Sequence, residues 1–271
     1  MDPSGTLWPD AMRCAAAFTF DFDAEEAWLG EDPANADRPG VLSQGTYGAK
    51  WGVPLVLELL ARHGIRATFF VPGRVAERYP ARVEEIVAAG HELAHHGYTH
   101  TSPTKLTRDE ERTELVRGLE VLRAFSPDVA GYRSPSWDFS VHTEALLQEL
   151  GFRYSSNFMD DLRPYRHEAS RLVELPVQWI LDDAAHFWFD GSTWVKTMRT
   201  ADEVRSIWEG EFRGYHRVSG SFVLACHPQV IGRPYRLEML DAFLSYVRSH
   251  DDVWITTCIE IAGRFDEEDE T

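Results

Sequence analysis

The sequence predicts an α/β protein built around a largely parallel sheet, and three observations lead to that prediction. Short apolar segments with the length of buried strands alternate with helical segments along almost the whole chain. Seven or eight strand–helix units follow one another, without an internal repeat or a low-complexity linker. The 271 residues, 44% of them hydrophobic, are enough for one sizeable core. We therefore expect one domain over 1–271, with a core over about 14–262, that forms a complete or distorted β/α barrel.

The first half of the chain begins with an apolar strand that ends in two carboxylates. Residues 14–20 (CAAAFTF) have the composition of a buried strand and lead into Asp21 and Asp23. The connection 26–48 is rich in Gly, Pro, Asn and Asp, and such long connections usually form lids or binding loops, or are disordered. The other predicted elements of this half are helix 54–63, strand 67–71, helix 81–89 and a strand that exits at the histidine-rich segment 91–100.

The second half continues the alternation, and two of its helices carry a start signal. Thr107 and Thr200 are each followed three residues later by Glu, which is the pattern of a capping box. Gly64 and Gly151 follow helical segments and indicate helix ends. The predicted elements are helix 107–125, strand 131–134, helix 142–150, a strand from 153, an extended segment 172–180, helix 200–217, strand 221–226, helix 236–248, strand 253–257 and a frayed acidic tail.

Polar side chains occur at the carboxyl ends of these predicted strands. Residues two apart on a strand point the same way, so the carboxylates of Asp21 and Asp23 should emerge together. His96 and His100 stand four apart, the spacing at which two imidazoles share one face of a helical turn and can bind one metal ion. In β/α barrels the chemistry takes place at these strand ends. The candidate site residues are Asp21, Asp23, His96, His100, Arg133 and His227.

Composition and charge limit the possible binding partners and indicate the cellular compartment. The 27 basic and 44 acidic residues give a net charge of −17, which repels nucleic acids and anionic membranes. The apolar segments are too short for a membrane span, and the N-terminus lacks a basic-then-apolar export signal, so we expect a cytoplasmic protein. Cys14, Cys226 and Cys258 lie far apart and indicate reduced thiols.

Four short motifs occur in a fixed order along the chain. They lie at 19–23 (TFDFD), 96–100 (HGYTH), 133–137 (RSPSW) and 224–227 (LACH). Together they resemble the polysaccharide deacetylases, the NodB-homology family also known as carbohydrate esterase family four, and the resemblance covers about residues 18–262. It implies a distorted (β/α)7 barrel, in agreement with the alternation of strands and helices. It also implies hydrolysis of carbon–nitrogen bonds other than peptide bonds.

Three departures from the usual family pattern bear on the substrate. Phe22 separates the two aspartates, Gly97 follows the first motif histidine, and Trp137 ends the third motif. With the segment 227–232 (HPQVIG), these features resemble a branch of peptidoglycan-deacetylase-like proteins, allantoinases and cyclic imide hydrolases. Two functions therefore stay open: metal-dependent N-deacetylation or hydrolysis of a small amide, and ring opening of a cyclic imide or of an allantoin-type ureide, which some relatives perform without metal.

The resemblance implies a metal site formed by Asp23, His96 and His100. Zinc is the preferred ion because it accepts mixed nitrogen and oxygen ligands and leaves open positions for water and substrate in catalytic sites. His95 should point to the opposite face if the segment is extended, so we exclude it from the ligands. The same constellation without metal is the alternative.

The acid–base roles fall to three further residues. Asp21 would act as general base toward water, and Arg133 would keep that carboxylate ionised and oriented. His227 would act as general acid toward the departing nitrogen, with Asp160 or Asp161 as a supporting carboxylate. A non-catalytic metabolite-binding protein, the third hypothesis, has no need of such a base and acid.

The expected substrate is a small amide or imide, or an acetylated sugar. Trp28, Trp137 and Trp188 lie near predicted strand exits and are candidates for the walls of a substrate pocket. The segment 26–48 would either cover this pocket and exclude polymers, or project away from it. The family relatives imply a homo-oligomer.

Overall fold

Strands and helices alternate along residues 7–9, 12–189 and 198–265, the part of the chain that the computed structural model describes. The strands are β1 (Cys14–Asp21), β2 (Thr68–Val71), β3 (Glu92–His95), β4 (Gly131–Tyr132), β5 (Tyr154–Ser155), β6 (Tyr165–Arg166), β7 (Val173–Glu174), β8 (Ser221–Cys226) and β9 (Val253–Ile255). The helices are α1 (Glu26–Leu29), α2 (Pro39–Tyr47), α3 (Val53–His63), α4 (Gly73–Arg78), α5 (Pro80–Ala88), α6 (Arg108–Arg123), α7 (Thr143–Glu149), α8 (Asp183–Phe187), α9 (Ala201–Arg217), α10 (Pro228–Ile231), α11 (Pro234–Arg248) and α12 (Cys258–Gly263). The predicted frayed tail lies partly outside these residues.

The strands form one sheet in the order β6-β7-β5-β4-β3-β2-β1-β8, and β9 pairs with the first residues of β1. Every pairing is parallel except that of β6 with β7. In the described residues no ladder joins β7 to β8; the segment after β7 pairs with β8 through a single isolated bridge, between Asp182 and Ala225. The sheet is therefore curled but incompletely closed. This confirms the predicted α/β fold with a distorted barrel.

The sheet has apolar side chains on both faces, as parallel sheets covered by helices do. All eight residues of β1 are buried. Alternate residues such as Phe18 and Phe20 pack with the surrounding helices, whereas Ala15 and Ala17 belong to a second apolar cluster inside the barrel. The period of two therefore decides which side chains of each strand reach the interior.

The capping signals mark the helix starts that they predict. Thr107 and Thr200 each form a reciprocal capping box at the start of α6 and α9. Gly64 ends α3 with a left-handed backbone (φ 62°), where glycine carries no Cβ penalty. A third capping box, formed by Thr257 and Glu260, starts α12, which the sequence analysis did not predict.

The prediction of a long loop over 26–48 was wrong. This segment contains α1, a 3-10 helix over Pro33–Asp37 and α2, and a π turn over Gly48–Gly52 joins α2 to α3. Its prolines stand in the first turn of helices, where the missing N–H costs nothing. At least one of its glycines serves close packing: a Cβ on Gly45 would lie 2.5 Å from the backbone of Ala24. Gly and Pro in this segment are therefore part of helices and close contacts, not of an irregular loop.

Candidate active site

The alternation of side chains brings the predicted site residues to the carboxyl end of the barrel interior. Asp21 and Asp23 continue the inward-facing set of β1. His96 follows the inward-facing Ala94 of β3, and His227 follows the inward-facing Ala225 of β8. The residues that the sequence analysis placed at strand ends thus meet in one cavity, of about 440 Å³, whose walls include both aspartates and all three histidines of the predicted set.

Arg133 is fully buried and holds Asp21 from behind the cavity. Its Nη1 donates hydrogen bonds to Asp21 Oδ1 (2.8 Å) and to Thr19 Oγ1 (2.7 Å), and its Nη2 donates to Ser156 Oγ (2.9 Å). Burial alone would raise the pKa of Asp21, but the guanidinium charge and its hydrogen bond outweigh burial and hold this pKa below the ordinary value. The Asp21 carboxylate is therefore ionised at neutral pH.

Asp23, His96 and His100 bring three ligand atoms together. Asp23 Oδ1 lies 3.4 Å from His96 Nε2 and 3.7 Å from His100 Nε2. The segment after β3 is a loop and not the helical turn that the spacing of four suggested. Left-handed backbone at Gly97 (φ 75°) and His100 (φ 56°) reverses the chain instead, so that the two rings come within 5.0 Å of each other. As predicted, His95 points away from the cavity. Its Nε2 lies 3.1 Å from Leu115 O.

The two histidines are in the form that binds metal. His96 Nδ1 donates to the carbonyl oxygen of Arg133 (2.7 Å), which leaves the Nε2 lone pair toward Asp23. Burial lowers the pKa of His96 to about 4 and lowers that of His100 well below its ordinary value. Both imidazoles are therefore neutral at neutral pH, as metal ligands must be.

This set fits a divalent metal ion. In the described part of the chain Asp23 Oδ1 has no hydrogen-bond partner although it is buried, while Asp23 Oδ2 accepts from Gln229 Nε2 (3.2 Å). Burial raises the pKa of Asp23 well above its ordinary value, and a cation bound at Oδ1 would stabilise the charged carboxylate. Ligand atoms about 2.0–2.1 Å from a tetrahedral zinc are about 3.4 Å apart, close to the two distances from Asp23 Oδ1 to the histidines.

His227 pairs with Asp183, and the prediction that Asp160 or Asp161 supports it was wrong. The Nδ1 of His227 donates to Asp183 Oδ1 (2.6 Å), and its backbone N–H donates to Asp183 Oδ2 (3.0 Å). Asp160 instead accepts from the hydroxyl of Tyr165, and Asp161 accepts from backbone N–H groups of its own loop.

The partner of His227 also sets its charge. Burial alone would lower the pKa of His227, but Asp183 and then Asp182 outweigh burial and raise this pKa well above its ordinary value. The imidazolium is therefore favoured at neutral pH. Its Nε2 lies 3.7 Å from Asp23 Oδ2, so the proton on this atom lies beside the proposed metal ligands. The sequence analysis missed Asp183: the two adjacent carboxylates Asp182 and Asp183 stand shortly after the segment 172–180 that was predicted to be extended, but no local pattern links them to His227.

Two stacked tryptophan pairs border the cavity. Trp137 and Trp188 line it, as predicted, but Trp28 lies behind Trp188 and lines an adjoining cavity of about 400 Å³. The ring centroids of Trp28 and Trp188 are 4.5 Å apart, as are those of Trp137 and Trp179. Trp179, which the sequence analysis did not single out, also lines the cavity of about 440 Å³ and is 49% exposed.

Comparison with known proteins shows the family of the chain. A sequence model described as polysaccharide deacetylase matches residues 46–155. A Mycobacterium smegmatis protein, whose crystal structure is described as that of a polysaccharide deacetylase, is 41% identical to the chain. The two structures superpose with a TM-score of 0.93 over 97% of this chain and 93% of that one. The chain belongs to the polysaccharide deacetylase family.

Other polysaccharide deacetylases and one enzyme of a different activity are more distant. The peptidoglycan deacetylase of Helicobacter pylori is 29% identical over 94% of this chain and 97% of its own length. The allantoinase PuuE is 22% identical, with a TM-score of 0.86 over 98% of this chain and 94% of that one, which shows a shared fold.

As a family member the protein is a hydrolase of carbon–nitrogen bonds other than peptide bonds. Family members generally depend on a divalent metal and act on acetylated sugars. In the described residues no helix is both long and apolar enough to cross a membrane.

Proposed function

We propose that this protein is a metal-dependent N-deacetylase that hydrolyses the acetamide of an acetylated amino sugar. The observation that carries the proposal is the convergence of Asp23, His96 and His100 in one cavity that also contains an ionised base and a protonated acid. The ligand atoms of these three residues lie within 4.8 Å of one another. Relatives named as peptidoglycan and chitooligosaccharide deacetylases support the acetylated amino sugar as substrate class.

The metal would be held by Asp23 Oδ1, His96 Nε2 and His100 Nε2. Two imidazoles and one carboxylate are a ligand set that suits zinc, which commonly takes three protein ligands in catalytic sites. When bound, the ion would polarise the amide carbonyl and lower the pKa of water. The hydrogen bond from His96 Nδ1 to Arg133 O fixes the orientation of one ligand ring.

Asp21 would act as the general base. Its Oδ1 is held by Arg133, and its Oδ2 lies 4.0 Å from His96 Nε2, on the side of the proposed metal. We infer that this oxygen takes a proton from water as the water oxygen bonds to the carbonyl carbon of the acetamide. Because Arg133 stabilises the ionised carboxylate, Asp21 is ready to accept that proton at neutral pH.

His227 would act as the general acid. Asp183 accepts a hydrogen bond from Nδ1–H of His227. The proton on Nε2 of the imidazolium is therefore the one directed toward the cavity. This proton passes to the amide nitrogen as the carbon–nitrogen bond breaks, and acetate and a free amine are released. The roles of base and acid thus fall on residues whose environments push their pKa values apart.

The walls of the cavity suit a ring-shaped substrate. Trp137, Trp179 and Trp188 offer apolar faces, while Ser102, Thr104 and Lys105 offer polar groups on the same cavity. A sugar ring has both kinds of surface, with C–H groups on its faces and hydroxyls at its edge. The cytoplasmic location and the homo-oligomeric state remain predictions.

The test is a substrate panel assayed with added zinc. It contains N-acetylglucosamine, its β-linked dimer, succinimide, hydantoin and allantoin, and it measures both acetate release and ring opening. We expect acetate release from the acetylated sugars. Ring opening of an imide or ureide without acetate release would contradict the proposal and would support the alternative function, for which the likeness to the allantoinase shows only the shared fold.

A further inference from the structure

Gln229 contacts the Asp23 carboxylate oxygen that faces away from His96 and His100. Its Nε2 donates to Asp23 Oδ2 over 3.2 Å, while Asp23 Oδ1 faces His96 and His100. Gln229 is 4% exposed, so water does not compete freely for this contact. A carboxylate oxygen only accepts hydrogen bonds, so the amide nitrogen must face Asp23. The contact therefore orients the Asp23 carboxylate, with one oxygen toward Gln229 and the other toward the histidines.

The π turn Gly48–Gly52 packs directly against the turn that carries Gln229. A Cβ on Gly48 would lie 3.1 Å from both Cβ and N of Gln229, and a Cβ on Gly52 would lie 2.2 Å from Pro228 O. A Cβ on Gly232 would lie 2.3 Å from the same carbonyl oxygen. Side chains at these positions would push the two segments apart. π turns inside helices occur frequently at functional sites, and here the turn supports the segment that connects His227 to Gln229.

We propose that Gln229 is a positioning residue for the metal ligand Asp23, and that the π turn holds Gln229 in place. This inference rests on the metal site of the proposed function. Ligating carboxylates are themselves hydrogen-bonded in metal sites, and loss of such an outer partner typically weakens metal binding by about 10–100-fold. Without the amide donor, Asp23 Oδ2 loses its hydrogen bond and keeps, among the described residues, His227 Nε2 at 3.7 Å as its polar neighbour on that side, so the carboxylate is held less firmly toward the metal.

The first test measures the zinc Kd by competition with a chromogenic chelator, which needs no substrate. Gln229→Met keeps the unbranched chain and removes the donor, and we expect zinc binding about 10–100-fold weaker. Gln178→Met is the matched control, because Gln178 donates to Tyr215 Oη (2.9 Å) and contacts no proposed ligand. Its zinc Kd should equal that of the wild type. The free energy of unfolding of each metal-free protein is measured in parallel, since a merely structural role would lower it without changing the Kd.

The second test uses the glycine contact and does not alter the glutamine. Gly48 has helical angles (φ −56°, ψ −49°), so an alanine fits the backbone there. Its Cβ would press on Gln229, and we therefore expect the zinc Kd of Gly48→Ala to be severalfold higher. Gly214→Ala, in α9, is its control, since a Cβ there meets nothing within 4 Å. An unchanged Kd in folded Gln229→Met overturns the role of Gln229; if that variant does not fold, an unchanged Kd in Gly48→Ala does so. A wild-type protein that binds no zinc overturns the inference together with the proposed metal site.

Discussion

Replacement of Asp21 by asparagine separates its role as a base from its role in the structure. The asparagine side chain would keep an oxygen for Arg133 Nη1, which now lies 2.8 Å from Asp21 Oδ1, but an amide cannot take a proton from water. Loss of a general base typically lowers the rate about 10²–10⁴-fold, or about 2.7–5.4 kcal/mol at 1.36 kcal/mol per tenfold. We therefore expect kcat/KM of Asp21→Asn to fall by that factor. Zinc should still bind, because the three proposed ligands are untouched, although loss of the Asp21 charge 4.0 Å from His96 Nε2 weakens the attraction for a cation.

The same substitution leaves the buried Arg133 charge without its carboxylate. Thr19 and Ser156 still accept from the guanidinium, yet removal of one partner of a buried ion pair typically costs about 3–5 kcal/mol. Acetate release, the zinc Kd and urea unfolding are therefore measured together. Asp241→Asn is the control: Asp241 pairs with Arg62 and His63, away from the cavity, and the turnover of this variant should not change. Near-normal turnover in a folded Asp21→Asn protein would show that another group activates the water.

Three further predictions follow from the described contacts. Asp183→Asn removes the charge that raises the pKa of His227; since a general acid must be protonated, the alkaline limb of the kcat/KM profile should move to lower pH, and an unmoved limb would exclude His227 as the acid. Burial alone would lower the pKa of His167, but the Glu174 carboxylate outweighs burial and raises this pKa above its value in the unfolded chain. The pair should therefore stabilise the fold fully below about pH 6.5, and this stabilisation should be lost as pH rises through the pKa of folded His167. Urea unfolding should show His167→Gln to cost more at acidic than at alkaline pH, and an equal cost would refute the assignment. Because Ala27, Gly30 and Glu31 of the segment 26–48 line the cavity together with Trp188, acetylated monosaccharides should be deacetylated more readily than long chitin chains, and equal rates would refute this size restriction.

The sequence could predict which strand residues share a face at the site, because side chains alternate along a strand. Once β1, β3 and β8 were identified, the period of two placed Asp21 and Asp23 together, and it placed His95 on the opposite side from His96. Such local rules need no knowledge of which strands pair. The capping box at Thr107 was predictable for the same reason, because its hydrogen bonds join residues three positions apart.

The errors concern contacts between residues far apart in the sequence. Asp183 reaches His227 because the segment after β7 meets β8 at the bridge between Asp182 and Ala225, and no local pattern predicts that bridge. The segment 26–48 was misread because composition does not distinguish a glycine that bends the chain from one that allows close packing. Gly45, against the backbone of Ala24, is of the second kind.

The most direct test of the proposed function titrates zinc into metal-free protein while acetate release from the β-linked dimer of N-acetylglucosamine is measured. Protein treated with chelator should release no acetate, and activity should rise in proportion to added zinc until one ion is bound per chain. Substitution of His100 by alanine should abolish both tight zinc binding and this rise. Full acetate release by protein that elemental analysis shows to be free of metal would contradict the account.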